Sequence, residues 1–376
     1  MAFYLTFFII NILLGYIADK SYKTNKPLLY LALGLVVAIH TIVLGCRDFG
    51  VGTDTLVYID YYFNTAHSIN NLHDFLTCDD IDYGFLFLAW ICAQFSLDAQ
   101  SLLIGTELTI ILFMLLGMMQ YRKIYHIPIW MMMTLYCFMF CLHTMNMMRQ
   151  GCAMSILFFA FSFFLRKKYK WFIILYILAF TFHSTAIFFS IVPGFYYISQ
   201  IKKASTQNVL IIGVFVSLVL VYVAYFAVIS LIGNMGIISE VYMSRYGAGS
   251  EYIQKGTSSS SLRVIIMTIY MILLLFYANK RNIFTRTQFV FYLLLYITMS
   301  VFVSYFPRIV AYTDRIGRYI TIIMIVYYAL ILKEKRIPLT YRLLFFVFSI
   351  IFDWYTTFFI FKGAEVVPFT SKILGI

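Results

Sequence analysis

The sequence has little charge. Asp, Glu, Lys and Arg together make up 12% of its 376 residues, whereas soluble domains carry about 25%. Hydrophobic residues reach 62%, against roughly 45–50% in soluble domains. A chain with so few charges cannot cover a water-facing surface. A soluble globular protein is therefore excluded, and a lipid bilayer is the expected environment.

Several other features are absent, and each absence removes a class of protein. The sequence lacks the ten-residue alternation of a transmembrane β-barrel. Its six cysteines show no metal-ligand spacing. No internal repeat is visible, which disfavours a repeat-built transporter. The first apolar stretch, residues 3–18, lacks a basic n-region and an A-x-A site, so it is interpreted as a span rather than a signal peptide.

What the sequence does contain is long apolar runs. These predict an all-α fold, a polytopic transmembrane helical bundle of roughly 11–13 membrane helices, some of them short or re-entrant. We expect a single integral membrane domain over residues 1–376, with two longer outer loops at about 45–82 and 233–261. The apolar segments are 3–18, 28–44, 83–97, 102–121, 127–142, 150–165, 171–182, 185–199, 208–232, 262–278, 288–306, 316–332 and 343–361.

Most basic residues lie in short loops between these segments. The net charge of +12 therefore reflects the positive-inside rule and does not indicate nucleic-acid binding. The basic clusters all fall in the cytoplasm on two conditions. Residues 83–97 must not cross fully, and residues 171–182 and 185–199 must form a hairpin with its tip near His183. Both chain ends and both longer loops then lie outside.

The basic residues outside the inner clusters are mostly arginine. The planar guanidinium binds phosphate through two parallel hydrogen bonds, whereas lysine acts as a point charge. An arginine-rich outer face therefore predicts a pyrophosphate site. Four polar motifs contain the arginines and other side chains of interest.

The first motif directly follows the second apolar segment. Its glycines permit tight turns, and Asp54 with Thr53 and Thr55 offers hydrogen bonds to hydroxyl groups. The alternative is a solvated turn with a helix N-cap. The outer tyrosines that follow are candidates for stacking on sugar rings, namely Tyr58, Tyr61 and Tyr62. The motif reads Arg47-Asp48-Phe49-Gly50-Val51-Gly52-Thr53-Asp54-Thr55 and ends at Tyr58.

The second motif is Asn146-Met147-Met148-Arg149-Gln150, at the outer mouth between two apolar helices. An arginine at that depth is costly unless it faces a cavity, pairs or snorkels to the interface. Arg149 is therefore a candidate pyrophosphate ligand, with snorkelling as the alternative.

The third motif, Phe182-His183-Ser184-Thr185-Ala186, interrupts a long apolar run. As one helix, residues 171–199 would measure about 44 Å, too long for one untilted span. A break at His183 is expected, because unwound backbone is tolerated at membrane depth where it lines a cavity. Histidine titrates near neutrality and can act as a base. The alternative is a histidine bonded to a neighbouring carbonyl in helix packing.

The fourth motif is Thr313-Asp314-Arg315-Ile316-Gly317-Arg318-Tyr319. Arg315 and Arg318 are three residues apart and share a helix face. They open the segment 316–332, whose positive N-terminal end also attracts anions. Alternatively, Asp314 caps that helix and pairs with an arginine.

Two acids fall inside apolar segments, Glu107 and Asp353. Lone acids in spans are functional candidates by default, although the sequence identifies no partner for either. His40 and His143 lie near segment ends, where packing is the favoured interpretation.

At the four motifs the sequence resembles the EpsG/Wzy-like family of polysaccharide polymerases. The order and spacing of the matching pieces extend over most of the chain. The pieces are Arg47-Asp48 with Gly52-Thr53-Asp54-Thr55 and Tyr58, Asn146 with Arg149-Gln150, His183-Ser184 with Ala186, Asp314-Arg315 with Tyr319, and Val367-Pro368.

The resemblance implies glycosyl transfer on the outer face of the bacterial inner (cytoplasmic) membrane. A growing glycan moves from undecaprenyl pyrophosphate to the non-reducing end of a lipid-linked repeat unit, without a nucleotide sugar, a metal or another cofactor. The implied partners are the lipid-linked oligosaccharide, membrane lipids, a chain-length regulator and a flippase.

Roles for the motif residues follow as hypotheses. The first choice of general base is His183, with Asp54 second. The expected pyrophosphate ligands are Arg149, Arg315, Arg318 and Arg47. The expected glycan ligands are Asp48, Thr53, Thr55, Tyr58, Asn146, Gln150 and Asp314.

Two other classes compete with this interpretation. A flippase for the same lipid-linked unit also needs a cationic cavity, but basic residues at membrane depth and internal duplication would be expected there. A ligase or acyltransferase acting on surface glycan would need a cytoplasmic donor or a His-Asp pair with access across the membrane, and the sequence shows neither clearly.

Overall fold

A computed structural model describes residues 1–78, 82–234, 261–308 and 313–376. Within these ranges the chain forms helices joined by turns and irregular segments. The first helices are α1 (Ala2–Ser21), α2 (Lys26–Gly45), α3 (Thr55–Tyr58), α4 (Asn64–Ser68), α5 (Leu72–Leu76), α6 (Tyr83–Phe95), α7 (Gln100–Tyr125), α8 (Ile129–Tyr136), α9 (Leu142–Asn146), α10 (Met148–Leu165) and α11 (Tyr169–Phe182).

The remaining helices follow a break after α11. They are α12 (Ile191–Gln200), α13 (Ala204–Val223), α14 (Tyr225–Asn234), α15 (Ser261–Lys280), α16 (Arg286–Ser300), α17 (Asp314–Lys333), α18 (Leu339–Phe346) and α19 (Phe352–Tyr355). Short π-helical segments continue several of them, for example Cys137–Cys141 between α8 and α9. The predicted outer loop at 233–261 lies outside the described residues from 235 to 260.

The all-α membrane fold is confirmed. Nine helices in the described ranges are long and apolar enough to cross a membrane, and three further apolar helices are shorter. The nine are Ala2–Ser21, Lys26–Gly45, Gln100–Tyr125, Ile129–Asn146, Met148–Leu165, Ala204–Val223, Arg286–Val303, Asp314–Lys333 and Leu339–Ile360.

The structure gives the length of one short predicted segment and the backbone at the predicted break in another. The helix α6 has 13 residues, about 20 Å at 1.5 Å per residue, which is less than a hydrocarbon core of about 30 Å. The predicted break after α11 is present, because His183 is extended (φ −161°, ψ 120°) and a 3-10 helix, Ser184–Ser190, follows.

The described residues divide into two compact units. The first comprises Met1–Ile187 with Ile325–Ile376, and the second comprises Phe188–Met324. In the first unit, α10 packs against α7 and α11, while α2 packs between α1 and α7. Glycines permit this close packing: a Cβ added to Gly117 would lie 2.4 Å from the Phe158 ring. In the second unit, α12 packs against α16.

The segment between α2 and α6, predicted as an outer loop, is largely helical. A continuous stretch runs through α3, the π-helical segment Ile59–Phe63 and α4. Its buried face carries Tyr58 and Tyr62, whose rings lie 5.8 and 5.0 Å from the ring of Phe85. Aromatic contacts of this kind hold the segment against α6.

Candidate functional site

Three helix ends meet around the carboxylate of Asp82. This residue is the N-cap of α6, Arg149 lies in the first turn of α10, and His183 directly follows α11. Arg149 Nη1 donates to Asp82 Oδ2 at 2.6 Å, and His183 Nδ1 lies 3.0 Å from the same oxygen. The Ser184 backbone N–H donates to Asp82 Oδ1 at 3.2 Å. One carboxylate thereby joins an arginine, a histidine and a backbone donor.

Local backbone geometry brings these side chains together. Non-helical dihedrals at Met147 (φ −89°, ψ 61°) separate α9 from α10 immediately before Arg149. Extended dihedrals at His183 end α11. A Cβ added to Gly84 would lie 2.4 Å from Thr181 Oγ1, so glycine is needed for α6 to approach the end of α11 this closely. The close approach sets Asp82 beside His183.

We call Asp82, Arg149, His183 and Tyr62 the mouth cluster. The hydroxyl of Tyr62 accepts hydrogen bonds from Arg149 Nη1 at 2.6 Å and from the Asp82 backbone N–H at 3.4 Å. The guanidinium carbon also lies 5.2 and 5.3 Å from the ring centroids of Tyr62 and Tyr58. Cation–π contact and hydrogen bonds together fix the direction of the arginine side chain.

The mouth cluster is partly open. Exposed side-chain fractions are 26% for Arg149, 13% for Asp82 and 14% for His183. A ligand can therefore reach these groups, while the surrounding protein shields them from most of the water. Of the three tyrosines expected to stack on sugars, only Tyr61 is exposed; Tyr58 and Tyr62 are buried against the arginine.

Charge at the mouth cluster favours an ionised aspartate. Burial raises the pKa of Asp82, but the hydrogen bond and charge of His183 and the charge of Arg149 outweigh burial and hold that pKa below its ordinary value. Burial also raises the pKa of Tyr62 to about 12, so its phenol stays protonated near neutral pH.

The arrangement can perform acid–base chemistry. When a neutral histidine donates from Nδ1 to a carboxylate, Nε2 carries the lone pair and can accept a proton. The carboxylate then stabilises the imidazolium that forms. The guanidinium of Arg149, which donates to the same carboxylate oxygen, supplies positive charge for an anionic group. The arrangement thus combines a base (His183), the carboxylate that orients it (Asp82) and a cation (Arg149).

A second set of contacts holds the loop that contains Asp54, here called the Asp54 loop (residues 46–54). Asn146 Oδ1 accepts from the Asp54 backbone N–H at 2.8 Å and from Thr53 Oγ1 at 3.1 Å. Gly52 adopts φ +97°, which suits glycine, and Thr55 is buried and donates to the Val51 carbonyl at 2.9 Å. The loop therefore lies beside Asn146, three residues before Arg149.

Arg47 occupies a different environment from the expected pyrophosphate site. Its side chain is fully buried, as is that of Glu107, and Nη1 donates to Glu107 Oε1 at 2.8 Å. Its other contacts are the carbonyls of Leu44 at 2.7 Å and Met145 at 2.8 Å. Arg47 thus has partners within the helix bundle and no exposed surface for a phosphate.

Glu107 also faces two further buried polar groups. Its Oε2 lies 3.5 Å from His40 Nε2, and that nitrogen lies 3.3 Å from the Tyr136 hydroxyl. We call Arg47, Glu107, His40 and Tyr136 the sealed cluster. Glu107, which the sequence left without a partner, pairs with two residues from a neighbouring helix and its C-terminal loop.

Other predicted ligands have defined contacts. In the second unit, Arg318 donates to Asp314 Oδ2 through Nε at 3.1 Å and Nη2 at 2.8 Å, which is the arginine pairing that the alternative for Asp314 included. Asp314 itself is the first residue of α17. Arg315 is partly exposed in the same first turn of α17. In the first unit, Gln150 is buried, and Asp48 Oδ1 accepts from the Lys372 backbone N–H at 2.9 Å.

Sequence reasoning missed Asp82 as a site residue. Seven aspartates occur between residues 48 and 82, and nothing in their order distinguishes one from another. One local signal was available, because Asp82 directly precedes an apolar run and so occupies an N-cap position. Of the other acids, Asp79 and Asp80 lie outside the described residues.

Comparisons with known proteins give one match. A family model described as the EpsG family matches residues 30–371, which is most of the chain. No curated protein and no solved structure matches the chain.

Proposed function

Since the chain belongs to the EpsG family, whose members are polysaccharide polymerases, we propose that it extends a glycan held on a membrane lipid. The growing chain on undecaprenyl pyrophosphate is transferred to the non-reducing end of a lipid-linked repeat unit. The reaction takes place on the outer face of the bacterial cytoplasmic membrane. The proposed partners, a flippase and a chain-length regulator, act on glycans held on the same lipid.

The observation that supports this proposal most strongly is the mouth cluster. A polymerase of this type needs a base for the acceptor hydroxyl and a cation for the leaving pyrophosphate. His183 and Arg149 meet these needs, and both contact Asp82 Oδ2 within 3.0 Å. These side chains come from separate helix ends, so tertiary packing brings them together, and they are not neighbours in the sequence.

In the proposed step, His183 Nε2 takes the proton of the acceptor hydroxyl. The oxygen attacks the anomeric carbon of the growing chain and forms the new C–O bond. The bond from that carbon to the pyrophosphate oxygen breaks, and the oxygen leaves with the electron pair. Asp82 stabilises the imidazolium, and Arg149 stabilises the charge that develops on pyrophosphate. A single displacement inverts the anomeric centre.

The remaining predicted ligands keep supporting roles in the proposal. Thr53 and Asn146 remain assigned to the glycan, and Asp54 beside them remains the alternative base. Arg315 and Arg318, which both belong to the second unit, remain proposed pyrophosphate ligands. Arg47 is reassigned from pyrophosphate binding to holding the bundle, because its guanidinium is buried against Glu107 and two carbonyls.

A deletion strain tests the proposal. It is complemented with wild type, His183→Ala or the matched control His73→Ala, an exposed histidine that is not a member of the mouth cluster. Surface glycan is resolved on a gel, and membrane levels of each variant are measured. We expect the deletion and His183→Ala to give a single repeat unit, and wild type and His73→Ala to restore the ladder.

Two results would contradict the proposal. Loss of all surface glycan, with lipid-linked units trapped inside the cell, would identify a flippase. Retention of the anomeric configuration in the new linkage would exclude the single displacement.

A further inference from the structure

The C-terminal residues 362–376, here called the strap, pass across the Asp54 loop in the first unit. Two backbone N–H groups of the loop donate to the strap: Gly52 to the Glu365 carbonyl at 3.2 Å and Thr53 to the Ala364 carbonyl at 3.1 Å. These donors lie immediately before Asp54. The backbone of the loop is therefore paired with the strap at Thr53, a proposed glycan ligand, and directly before Asp54.

Further contacts join the other end of the loop to the strap. The Asp48 backbone N–H donates to the Thr370 carbonyl at 2.9 Å, and the Lys372 backbone N–H donates to Asp48 Oδ1 at 2.9 Å. The buried Ser371 hydroxyl donates to the Cys46 carbonyl. The strap therefore follows the loop along most of its length.

The strap is itself held by α1. The Tyr4 hydroxyl donates to the Val366 carbonyl, and the rings of Phe3 and Phe369 are stacked with centroids 4.2 Å apart. Val366 is fully buried. The strap thus connects the first helix of the chain to the Asp54 loop.

Three non-glycine residues of the strap have left-handed backbone conformations. Their φ angles are +51° at Lys362, +61° at Ala364 and +51° at Glu365. Such conformations are uncommon for residues other than glycine, and surrounding contacts must stabilise them. They turn the chain so that the carbonyls of Ala364 and Glu365 accept from the loop.

The loop also contacts the residues that precede Arg149 in the chain. Asn146 binds the Asp54 backbone N–H, and Arg47 holds the carbonyl of Met145. The loop is therefore bound both by the strap and by Asn146, three residues before Arg149. Displacement of the strap would free the Asp54 loop on that side. It would do so without changing a residue that contacts Asp82 or His183.

We propose that the strap is a positioning element for the polymerase site, holding Asp54 and its neighbours against Asn146 so that the acceptor glycan is aligned with the mouth cluster. This inference rests on the proposed function. The strap residues do not touch substrate in this proposal; they act through the Asp54 loop.

A matched pair of substitutions at Ala364 tests the proposal. Ala364→Gly removes a methyl group and adopts the left-handed conformation without strain, so strap and loop keep their contacts. Ala364→Val places a β-branched side chain at φ +61°, where branching is strongly disfavoured, and so displaces the strap from the loop. Ala364 is only partly buried, so the change leaves the helix bundle intact.

Hydrogen exchange in detergent or nanodiscs is the first readout. We expect Ala364→Val to accelerate exchange in peptides that cover residues 46–55, with peptides from α10 unchanged, and Ala364→Gly to match wild type. Unchanged exchange at residues 46–55 in Ala364→Val would overturn the contact between strap and loop. This readout does not depend on any catalytic activity, so it stands even if the polymerase assignment fails.

Polymerisation of a purified lipid-linked repeat unit is the second readout. We expect Ala364→Val to lower kcat/KM about tenfold, an effect typical of misaligned substrate, while the shape of the pH profile stays that of wild type because His183 is untouched. Wild-type kcat/KM in a variant whose loop exchanges faster would overturn the positioning role. Absence of activity in wild type would instead contradict the proposed function.

Discussion

Two clusters in the first unit contain the same three side-chain types, an arginine, a carboxylate and a histidine. In the sealed cluster, Arg47 pairs with Glu107 and His40 stands 3.5 Å from the carboxylate, with no exposed side-chain surface on the ion pair. In the mouth cluster, Arg149 and His183 share Asp82, and each side chain keeps 13–26% exposure. The two clusters therefore have the same kinds of side chain and differ in whether solvent or a ligand can reach them.

Access decides what each arrangement can do. A fully buried ion pair has no room for a substrate, and removing one partner leaves an uncompensated charge in low dielectric. A partly exposed cluster retains strengthened electrostatics and admits a ligand. The sealed cluster therefore holds α2, α7 and the end of α9 together, whereas the mouth cluster is the candidate site. The following predictions test this difference.

The largest expected effect on activity comes from the mouth cluster. Asp82→Asn and His183→Gln should each lower the polymerisation rate about 10²–10⁴-fold, because each removes part of the general-base pair. Thermal unfolding in detergent should change less than for the sealed cluster, because the groups are partly exposed. Rates near wild type for both variants would remove the mouth cluster as the catalytic site.

The largest expected effect on stability comes from the sealed cluster. Glu107→Leu should lower the free energy of unfolding by about 3–5 kcal/mol, because Arg47 is left buried without its partner. The double variant Arg47→Met/Glu107→Leu should recover most of that loss. Thermal unfolding of the purified variants measures both. A stable but inactive Glu107→Leu protein would give the sealed cluster a catalytic role and erase the distinction.

Arg149→Lys should have a smaller effect on activity than loss of the base pair. Lysine keeps the positive charge but replaces the planar guanidinium, whose Nη1 donates to both Asp82 and Tyr62, with a single ammonium that cannot bind pyrophosphate through two parallel hydrogen bonds. We expect kcat/KM to fall about tenfold, by the loss of one charge-assisted hydrogen bond. The matched control is Arg336→Lys, an exposed arginine paired with Glu334, which should retain wild-type rates. Equal rates for Arg149→Lys and the control would argue against a directed contact.

The smallest expected effect is a pH dependence of stability. The folded-state pKa of Asp82 is lower than its ordinary value near 4, so its ion pairing contributes above about pH 4 and is lost as pH falls through the lower folded-state pKa. The difference in melting temperature between wild type and Asp82→Asn that is measured at pH 5 should shrink as the pH falls below 4. A difference that grows on acidification would reverse the assigned direction.

Much of the fold followed from sequence because a bilayer constrains helices so strongly. Apolar length predicted the helices, and the break at His183 followed from a run too long for one span. Arg149 and His183 were found because polar groups inside apolar runs stand out. Asp82 was not found, because it is one of seven aspartates in a polar segment and its N-cap position does not by itself indicate the contacts with Arg149 and His183.

Arg47 illustrates the converse. Its sequence motif has the polar residues and glycines expected of a ligand loop, and Glu107 is an acid inside an apolar segment. Neither sequence pattern predicts that these two residues pair, because they are 60 positions apart in the chain. The structure therefore changes Arg47 from a candidate ligand to a bundle contact.

The sequence by itself determined the membrane class, the helical architecture and the places where polarity interrupts it, because the cost of polar groups in lipid acts locally along the chain. Only the tertiary structure decided which arginine is sealed and which is accessible, which aspartate orients His183, and what holds the Asp54 loop. These depend on contacts between distant helix ends and on burial, which are properties of packing rather than of any one segment.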